Sequence, residues 1–311
     1  MKKKLVTVFM GTPDFAVPTL RALAESTELV LVVTQPDRPV GRGRKMASPP
    51  VKTAAIDLGV AVIAPEIVRG KRFASRIADL KPDILVTAAY GRILGRSLLA
   101  TPTHGCLNVH ASLLPKLRGA APINWAIING DEEAGVSIMA MEEGLDTGPV
   151  YRSIAVQIGP QETAGDLTGR LAELGAAVLM EVVGEIEEIE PVPQNHSLAT
   201  HAPALRKKDG RMDWVKSAAG LHAHVRGMHP WPCASTLLEG QPIKVHDARV
   251  LSHDEIAGKA GEVTAHTADG VDVACGKGVL RLTALQLPGR KRLGSAQFIT
   301  GCKIKSGTVL S

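Results

Sequence analysis

With 311 residues, 45% hydrophobic and 22% charged side chains, the chain is long enough for two domains and has the balance of an ordinary globular protein. Aromatics make up only 3%, which argues against a stacking platform for single-stranded nucleic acid, and no apolar run reaches transmembrane length. The net charge of +5 is uneven: residues 209–311 carry 13 Lys/Arg against 9 Asp/Glu, a basic excess that points weakly to a polyanionic partner.

Cys106, Cys233, Cys275 and Cys302 stand far apart without a C-x-x-C pair. That excludes a zinc knuckle or a redox motif, fits a reducing compartment, and leads us to expect a cytoplasmic protein. His222-x-His224 lacks the H-E-x-x-H pattern, so no metal is expected. Lys2-Lys3-Lys4 followed by the apolar residues 5–10 mimics a signal peptide but is too short for one.

Residues 5–10 are predicted as a buried strand, Gly11-Thr12-Pro13 as a turn, and Asp14 as the cap of a helix over 15–25. A second strand over 29–34 completes a β-α-β opening, the start of a parallel sheet. The first turn holds one glycine rather than G-x-G-x-x-G, so a cradle for a dinucleotide is not encoded. Residues 35–50 carry four prolines, two glycines and a net charge of +3 from Arg38, Arg42, Arg44 and Lys45 against Asp37. Prolines and glycines keep this segment out of helix and sheet interiors, and a connection of that length is usually functional or disordered.

Pro49-Pro50 opens a helix ending near 58, followed by a strand over 60–63, a helix over 71–80 and a strand over 83–88. Tyr90-Gly91 breaks the run before a short helix over 95–99. Next come a strand over 106–110, a helix over 120–129, a strand over 136–141 and an edge strand over 150–156. Thr163-Ala164-Gly165-Asp166 resembles a capping box, and Leu167, Leu171, Leu174, Val178, Val182 and Ile186 then mark one face of a long helix. That helix closes a first domain, 1–189. A linker, 190–208, leads to a second domain, 209–311, with a helix over 216–227 and strands at 243–251, 259–266, 271–274 and 279–286, the pattern of a small barrel or sandwich.

Two stretches carry chemistry. Asn108, His110 and Ser112 alternate at the end of a predicted strand, so an amide, an imidazole and a hydroxyl share one face while Val109, Ala111 and Leu113 face packing. Strand carboxyl ends are where open α/β sheets bind ligands. A polar strand edge is the blander reading of the same residues. Asp146, in the turn Gly144-Leu145-Asp146-Thr147-Gly148 after another strand, is either a turn residue bonding its own backbone or a carboxylate in the same crevice. Amide, imidazole and carboxylate together suit acyl transfer. Ser112 precedes Leu-Leu-Pro without a strand-turn-helix elbow, so a Ser-His-Asp triad is not expected.

Asn108-Val109-His110-Ala111-Ser112-Leu113-Leu114-Pro115-Lys116-Leu117-Arg118-Gly119, followed by Gly144-Leu145-Asp146-Thr147-Gly148, resembles the signature of the folate-dependent formyltransferases. Phe9-Met10-Gly11-Thr12-Pro13-Asp14-Phe15, the 35–50 segment, Gly119-Ala120-Ala121-Pro122-Ile123 and His229-Pro230-Trp231-Pro232 make the chain most similar to the branch that formylates charged initiator tRNA. Ala111, where Gly or Pro is common, and Met228-His229 before Pro-Trp-Pro are departures that touch no proposed catalytic group. The resemblance implies a Rossmann-like domain with helices on both faces of a mostly parallel sheet and an OB-like C-terminal barrel. It implies 10-formyltetrahydrofolate as donor, initiator methionyl-tRNA as acceptor, no metal, no membrane and a monomer. Asn108, His110 and Asp146 would be catalytic, Ser112, Leu113, Leu114 and Pro115 would line the folate site, and Arg38, Arg42, Arg44 and Lys45 would meet the tRNA.

In the expected reaction the neutral α-amine, with a pKa of about 8, attacks the formyl carbon. Asn108 and protonated His110 stabilise the oxyanion, and Asp146 keeps His110 charged. Which of His110 and Asp146 moves the proton stays open. Formyl transfer to a small amine, such as an amino-sugar, is the nearest rival. A dinucleotide-dependent oxidoreductase and a tRNA-binding module with a vestigial site are more distant ones.

Overall fold

The computed structural model of this chain describes residues 4–40, 43, 45–254, 257–301 and 304–311. The chain forms two compact units that interleave in sequence. The first comprises Met1–Pro122, Ala134–Val156 and Thr168–Pro203; the second comprises Ile123–Glu133, Gln157–Leu167 and Ala204–Ser311.

The first unit opens with β1 (Val6–Gly11), α1 (Val17–Ser26) and β2 (Glu28–Val33), parallel neighbours in the sheet. Asp14 does not cap α1: it lies inside a short 3-10 turn entered from Pro13, and no side chain caps that turn. The backbone closes it instead, with Ala16 N–H donating to Pro13 O at 2.9 Å. The described part of residues 35–50 holds two short strands despite its proline content. β3 (Arg38–Val40) and β4 (Lys45–Ala47) pair antiparallel as a separate hairpin, with Pro39 opposite Met46. A two-stranded ribbon is all edge, so the N–H that proline lacks is easily spared there.

After α2 (Pro50–Asp57), β5 (Val62–Ile63), α3 (Lys71–Ala78), β6 (Ile84–Ala88) and α4 (Arg96–Leu99) comes β7 (Cys106–His110). Next are the short β8 (Arg118–Gly119), α5 (Pro122–Asn129), β9 (Glu133–Ala140), β10 (Val150–Gln157), α6 (Ala164–Gly184) and the short β11 (His201–Ala202). The main sheet has the order β10-β9-β7-β6-β1-β2-β5. β1, β2, β5, β6 and β7 are parallel, and β9 runs antiparallel to β7. Val8, Phe9 and Met10 of β1 and Ile84, Leu85 and Val86 of β6 are fully buried, which is why these strands read as continuous apolar runs. The chain moves from β1 to β2 and β5 on one side and returns to β6 on the other. The order in which strands are added therefore reverses at β1/β6, the place where open α/β sheets leave a crevice beyond the strand carboxyl ends. The Thr163/Asp166 capping box is present: Thr163 N–H and Oγ1 donate to Asp166 Oδ2 at 3.1 and 2.6 Å, and Asp166 N–H returns to Thr163 Oγ1 at 3.3 Å.

In the second unit, α7 (Ala218–Gly227) precedes β12 (Ala234–Leu238), β13 (Gln241–Ser252), β14 (Val263–Thr267), β15 (Gly270–Ala274), β16 (Val279–Gln286), β17 (Leu293–Gly294) and α8 (Ser295–Gly301). Sheet order is β12-β13-β16-β15-β14, with β17 on β16. Residues 307–311 hydrogen-bond to both free ends of this path. Leu237 and Ser311 exchange backbone bonds of 2.7 and 3.1 Å, and Val263 N–H donates to Thr308 O at 2.8 Å. β14 begins later than expected because the chain first turns at Gly261, whose φ of +89° and close approach to Leu310 O exclude a side chain. The segments around 123–133 and 157–167 join this unit through α7: Asn124 Nδ2 donates to Gly227 O at 2.8 Å, and Arg226 Nη1 donates to Gly159 O and Glu162 O. No helix among the described residues is long and apolar enough to cross a membrane.

Candidate active site

β7 brings Asn108 and His110 to the carboxyl end of the sheet in the first unit. α6 lies close behind them because Gly175 leaves room: a Cβ there would stand 2.7 Å from Val109 Cγ1, between the two polar residues. Thr87, the cross-strand partner of Asn108, donates its hydroxyl to Asn108 Oδ1 at 2.7 Å. The amide oxygen is thereby committed as acceptor, and the Nδ2 group is left to donate outward. Among the described residues nothing else bonds that side chain.

His110 is 5% exposed. Its Nε2 lies 3.2 Å from Leu117 O, and its Nδ1 lies 3.7 Å from Asp146 Oδ1. A carbonyl can only accept, so Nε2 carries the proton in the neutral ring and the Nδ1 lone pair is open toward Asp146. Burial holds the His110 pKa below its usual 6.5, outweighing the raising effects of Asp146 and of the Leu117 carbonyl, and Arg118 pushes the same way as burial. That direction runs against the protonated His110 expected from the sequence: burial favours an uncharged ring, whose protonated form would gain a carboxylate partner.

Asp146 is positioned from three sides. It adopts φ +52° in its turn, a left-handed conformation that Asp tolerates. Gly119 N–H donates to its Oδ2 at 2.9 Å. A Cβ on Gly148 would come 2.0 Å from Ala140 O, and one on Gly119 2.5 Å from Ala202 O, so both glycines are required for close backbone approach. Gln194 Nε2 donates to Asp146 O at 2.9 Å and to Gly148 O at 2.6 Å, and its Oε1 accepts from Arg118 Nη2 at 2.6 Å. Arg118 is itself 5% exposed and also reaches His196 Nδ1 at 2.9 Å.

The loop after β7 is held separately. Ser112, expected to face the site, is 2% exposed and donates to Lys116 O at 2.7 Å, so its hydroxyl closes the 112–116 turn. Ser137 donates to Ser112 O at 2.7 Å and accepts from Leu114 N–H at 3.1 Å. Leu113, Leu114 and Pro115 are half-buried on this turn. Leu117 N–H and Arg118 N–H donate to Thr200 Oγ1 and Thr200 O, both at 2.9 Å, and β8 pairs with β11.

Arg38 and Lys45 are exposed on the β3/β4 hairpin, and Arg42 and Arg44 lie outside the described residues. Arg38 Nη2 donates to Gln35 Oε1 at 2.7 Å, and Gln35 Nε2 donates to Tyr90 O at 2.8 Å, which ties the hairpin's base to the carboxyl end of β6. No contact joins the hairpin to Asn108, His110 or Asp146 among the described residues. A cavity of about 320 Å³ lies between residues 66–69 and Arg92-Ile93, at the carboxyl ends of β5 and β6. Ile67 and Ile93 are exposed there, and Arg92 Nη1 donates to Pro65 O at 3.1 Å and to Glu66 O. Among the described residues no group of three or more His, Cys, Asp or Glu could hold a metal.

Residues 3–183 match the formyl transferase family, and residues 204–303 match the formyl transferase C-terminal domain. Methionyl-tRNA formyltransferases of Pelobacter propionicus and Geobacter metallireducens are 48% and 45% identical over 97% of this chain and 95% and 97% of theirs. The chain belongs to the methionyl-tRNA formyltransferase family. It is an enzyme that transfers formyl groups. Among solved structures, an N-formyltransferase from Helicobacter canadensis, in complex with folinic acid and dTDP-3-aminofucose, superposes with a TM-score of 0.68 at 17% identity, covering 90% of this chain and 98% of that one. HypX from Aquifex aeolicus in complex with tetrahydrofolic acid superposes with a TM-score of 0.59 at 17% identity, covering 96% of this chain and 47% of that one. At such identities these likenesses establish the fold.

The motif singled out Asn108, His110 and Asp146, and the structure brings His110 and Asp146 within 3.7 Å of each other. Thr87 and Gln194 stand outside the motif, and their bonds to it span 21 and 46 to 76 residues. Leu117 stands inside it, but its backbone carbonyl carries no sequence signal. Arg118 stood inside the motif, but nothing local distinguishes a buried arginine from a solvated one.

Proposed function

We propose that the chain transfers the formyl group of 10-formyltetrahydrofolate to the α-amino group of initiator methionyl-tRNA, and that Asn108, His110 and Asp146 perform the transfer. The observation that carries the acceptor is the 45–48% identity to methionyl-tRNA formyltransferases along nearly the whole of both chains. The sugar formyltransferases share the fold at 15–17% identity.

The site supports a sequence of steps without metal. The neutral amine attacks the formyl carbon, and the carbonyl oxygen becomes an alkoxide. Asn108, its amide oriented by Thr87, donates Nδ2–H to that oxygen; a donor of this kind contributes about 3–4 kcal/mol in the transition state. The nitrogen that has attacked becomes acidic and gives its proton to His110 Nδ1. The resulting imidazolium lies 3.7 Å from the Asp146 carboxylate, with Nε2–H still bound to Leu117 O. His110 then delivers the proton to the folate nitrogen as the carbon–nitrogen bond to the donor breaks, which restores the neutral ring. Asp146 thus stabilises the charge that forms on His110 during the reaction rather than a charge held at rest.

Leu113, Leu114 and Pro115 offer a half-buried apolar edge to the folate, shaped by the Ser112 and Ser137 hydroxyls. The 320 Å³ cavity, with Ile67 and Ile93 beside Arg69 and Arg92, suits the aromatic and carboxylate parts of the same molecule. Arg38 and Lys45, exposed on the β3/β4 hairpin, offer basic groups to the acceptor stem, Arg42 and Arg44 add two more charges to the same segment of sequence, and the basic C-terminal region, 209–311, supplies further phosphate contacts. We assign the enzyme to the cytoplasm, on its free buried cysteines Cys106, Cys233 and Cys275 and its similarity to bacterial methionyl-tRNA formyltransferases, and expect it to be a monomer. Elution at the mass of one chain in gel filtration checks the monomer.

The test of the acceptor is incubation with 10-formyltetrahydrofolate and, in parallel, charged initiator tRNA, free methionine and a nucleotide-linked amino-sugar. Formylation of the charged tRNA at least a hundredfold above the others, about 3 kcal/mol in kcat/KM, is expected. Preference for the amino-sugar overturns the proposal.

A further inference from the structure

We infer that Gln194 is a positioning residue for the reaction, setting the Asp146 carboxylate and, through Arg118, the loop that holds His110. The inference rests on the roles of Asp146 and His110 given above. Gln194 lies at the end of a proline-rich stretch, Pro191-Val192-Pro193, where an exposed polar residue is the ordinary expectation, yet it is 9% exposed and all four of its side-chain bonds reach the site.

The geometry is two-sided. The Gln194 amide N–H2 uses both hydrogens on the Asp146 turn, one on Asp146 O at 2.9 Å and one on Gly148 O at 2.6 Å. A turn with Asp146 at φ +52° lacks the regular ladder bonds that would otherwise fix its carbonyls. The Gln194 oxygen accepts two bonds from Arg118, at 3.2 Å from Nε and 2.6 Å from Nη2. Arg118 stands between Leu117, whose carbonyl fixes the His110 tautomer, and Gly119, whose N–H fixes Asp146 Oδ2. One side chain therefore spans the two loops whose separation sets the 3.7 Å between His110 Nδ1 and Asp146 Oδ1. Thr200 bonds Leu117 and Arg118 from six residues further along the same stretch of chain, so residues 194–202 brace the site as a continuous piece. A misplacement of about 1 Å at a reacting group is worth about a hundredfold in rate, and such precision is what this brace supplies.

Two variants separate positioning from plain stability. Gln194→Glu keeps the acceptor oxygen for Arg118, as an ion pair, but turns an oxygen toward the Asp146 and Gly148 carbonyls. Gln194→Met keeps the volume and loses all bonds. For each, the melting temperature, kcat, and KM for folate and for charged tRNA are measured, with Asp146→Asn as reference. The expected result is a kcat lower by about tenfold or more in Gln194→Glu, with melting temperature near the parent and both KM values within about twofold. In Gln194→Met the acid limb of the kcat profile should also move to lower pH, because a carboxylate drawn away from His110 no longer raises its pKa. Near-normal kcat in Gln194→Glu, a loss confined to KM, or an unmoved acid limb in folded Gln194→Met overturns the inference. If Asp146→Asn itself retains turnover, the assignment of the reacting pair fails instead.

Discussion

Replacing Asp146 by Asn removes a charge while keeping shape, and the structure sets the size of the effect. Asn can still accept the Gly119 N–H that Asp146 Oδ2 accepts at 2.9 Å, so the turn and its left-handed φ should persist. What is lost is the attraction between a carboxylate and an imidazolium 3.7 Å away. At an effective dielectric of about 20, two unit charges at that distance attract by about 4 kcal/mol. The Asp146 side chain is 14% exposed, so part of this is screened and two to three decades in kcat is the expected loss. A second effect acts in the same direction. With its oxygen on Gly119, the Asn amide would donate to His110 Nδ1 and occupy the lone pair that takes the proton. Single-turnover formylation of charged initiator tRNA, followed from pH 5 to 9, is the assay, with folate binding and melting temperature as controls. Besides the lower plateau, the residual acid limb should move down in pH, since His110 loses the neighbour that raises its pKa while burial continues to lower it. A plateau within about threefold of the parent, or an acid limb that does not move, would refute the reasoning.

Thr87→Val should lower kcat by about tenfold with little change in melting temperature, because it frees the Asn108 amide to turn while filling the same volume; an unchanged kcat would mean that the amide is oriented by other means. Stability should fall as pH drops from neutrality. Burial holds the folded pKa of His110, His222, His224 and His246 below 6.5, so beneath that pH the unfolded chain binds protons that the folded chain refuses, and the loss from His222 continues to about pH 4. Calorimetry on the parent and on His222→Gln checks this: the variant should show a shallower decline below pH 6, and parallel curves would contradict it. Arg42→Leu should leave melting temperature and folate affinity unchanged but reduce formylation of initiator tRNA more than that of elongator methionyl-tRNA. Equal loss on both would reduce the residue to a nonspecific phosphate contact.

The sequence makes legible what is local. Alternation of polar groups over Asn108, His110 and Ser112 pointed to the end of β7, where the structure does put Asn108 and His110, and apolar runs such as 84–88 marked the central strands. Ser112 shows the limit of that alternation. The strand ends at His110, so the hydroxyl two residues on turns into its own loop and meets Lys116 O. Gln194 was out of reach for another reason: its partners lie 46 to 76 residues away, and a glutamine among prolines looks solvated until the turn it fills is known. The charge state of His110 depends on enclosure, which no spacing reports. The backbone bonds of residues 307–311 to both ends of the C-terminal sheet were equally hidden, because Gly307-Thr308-Val309-Leu310-Ser311 carries too few alternating residues to announce a strand.

The central claim is that Asn108, His110 and Asp146 move a formyl group from folate onto the amine of charged initiator tRNA. The most direct measurement follows a label placed in the formyl group of 10-formyltetrahydrofolate through one turnover, with the parent chain and with Asn108→Ala. The account predicts that the parent deposits the label on the α-nitrogen of methionine, recovered as formyl-methionine after the ester is cleaved. In Asn108→Ala the same product should form two to three decades more slowly at saturating substrates, about 3–4 kcal/mol of lost oxyanion stabilisation. Label left on the folate by the parent, or an Asn108→Ala variant that transfers it at the parental rate, would contradict the account.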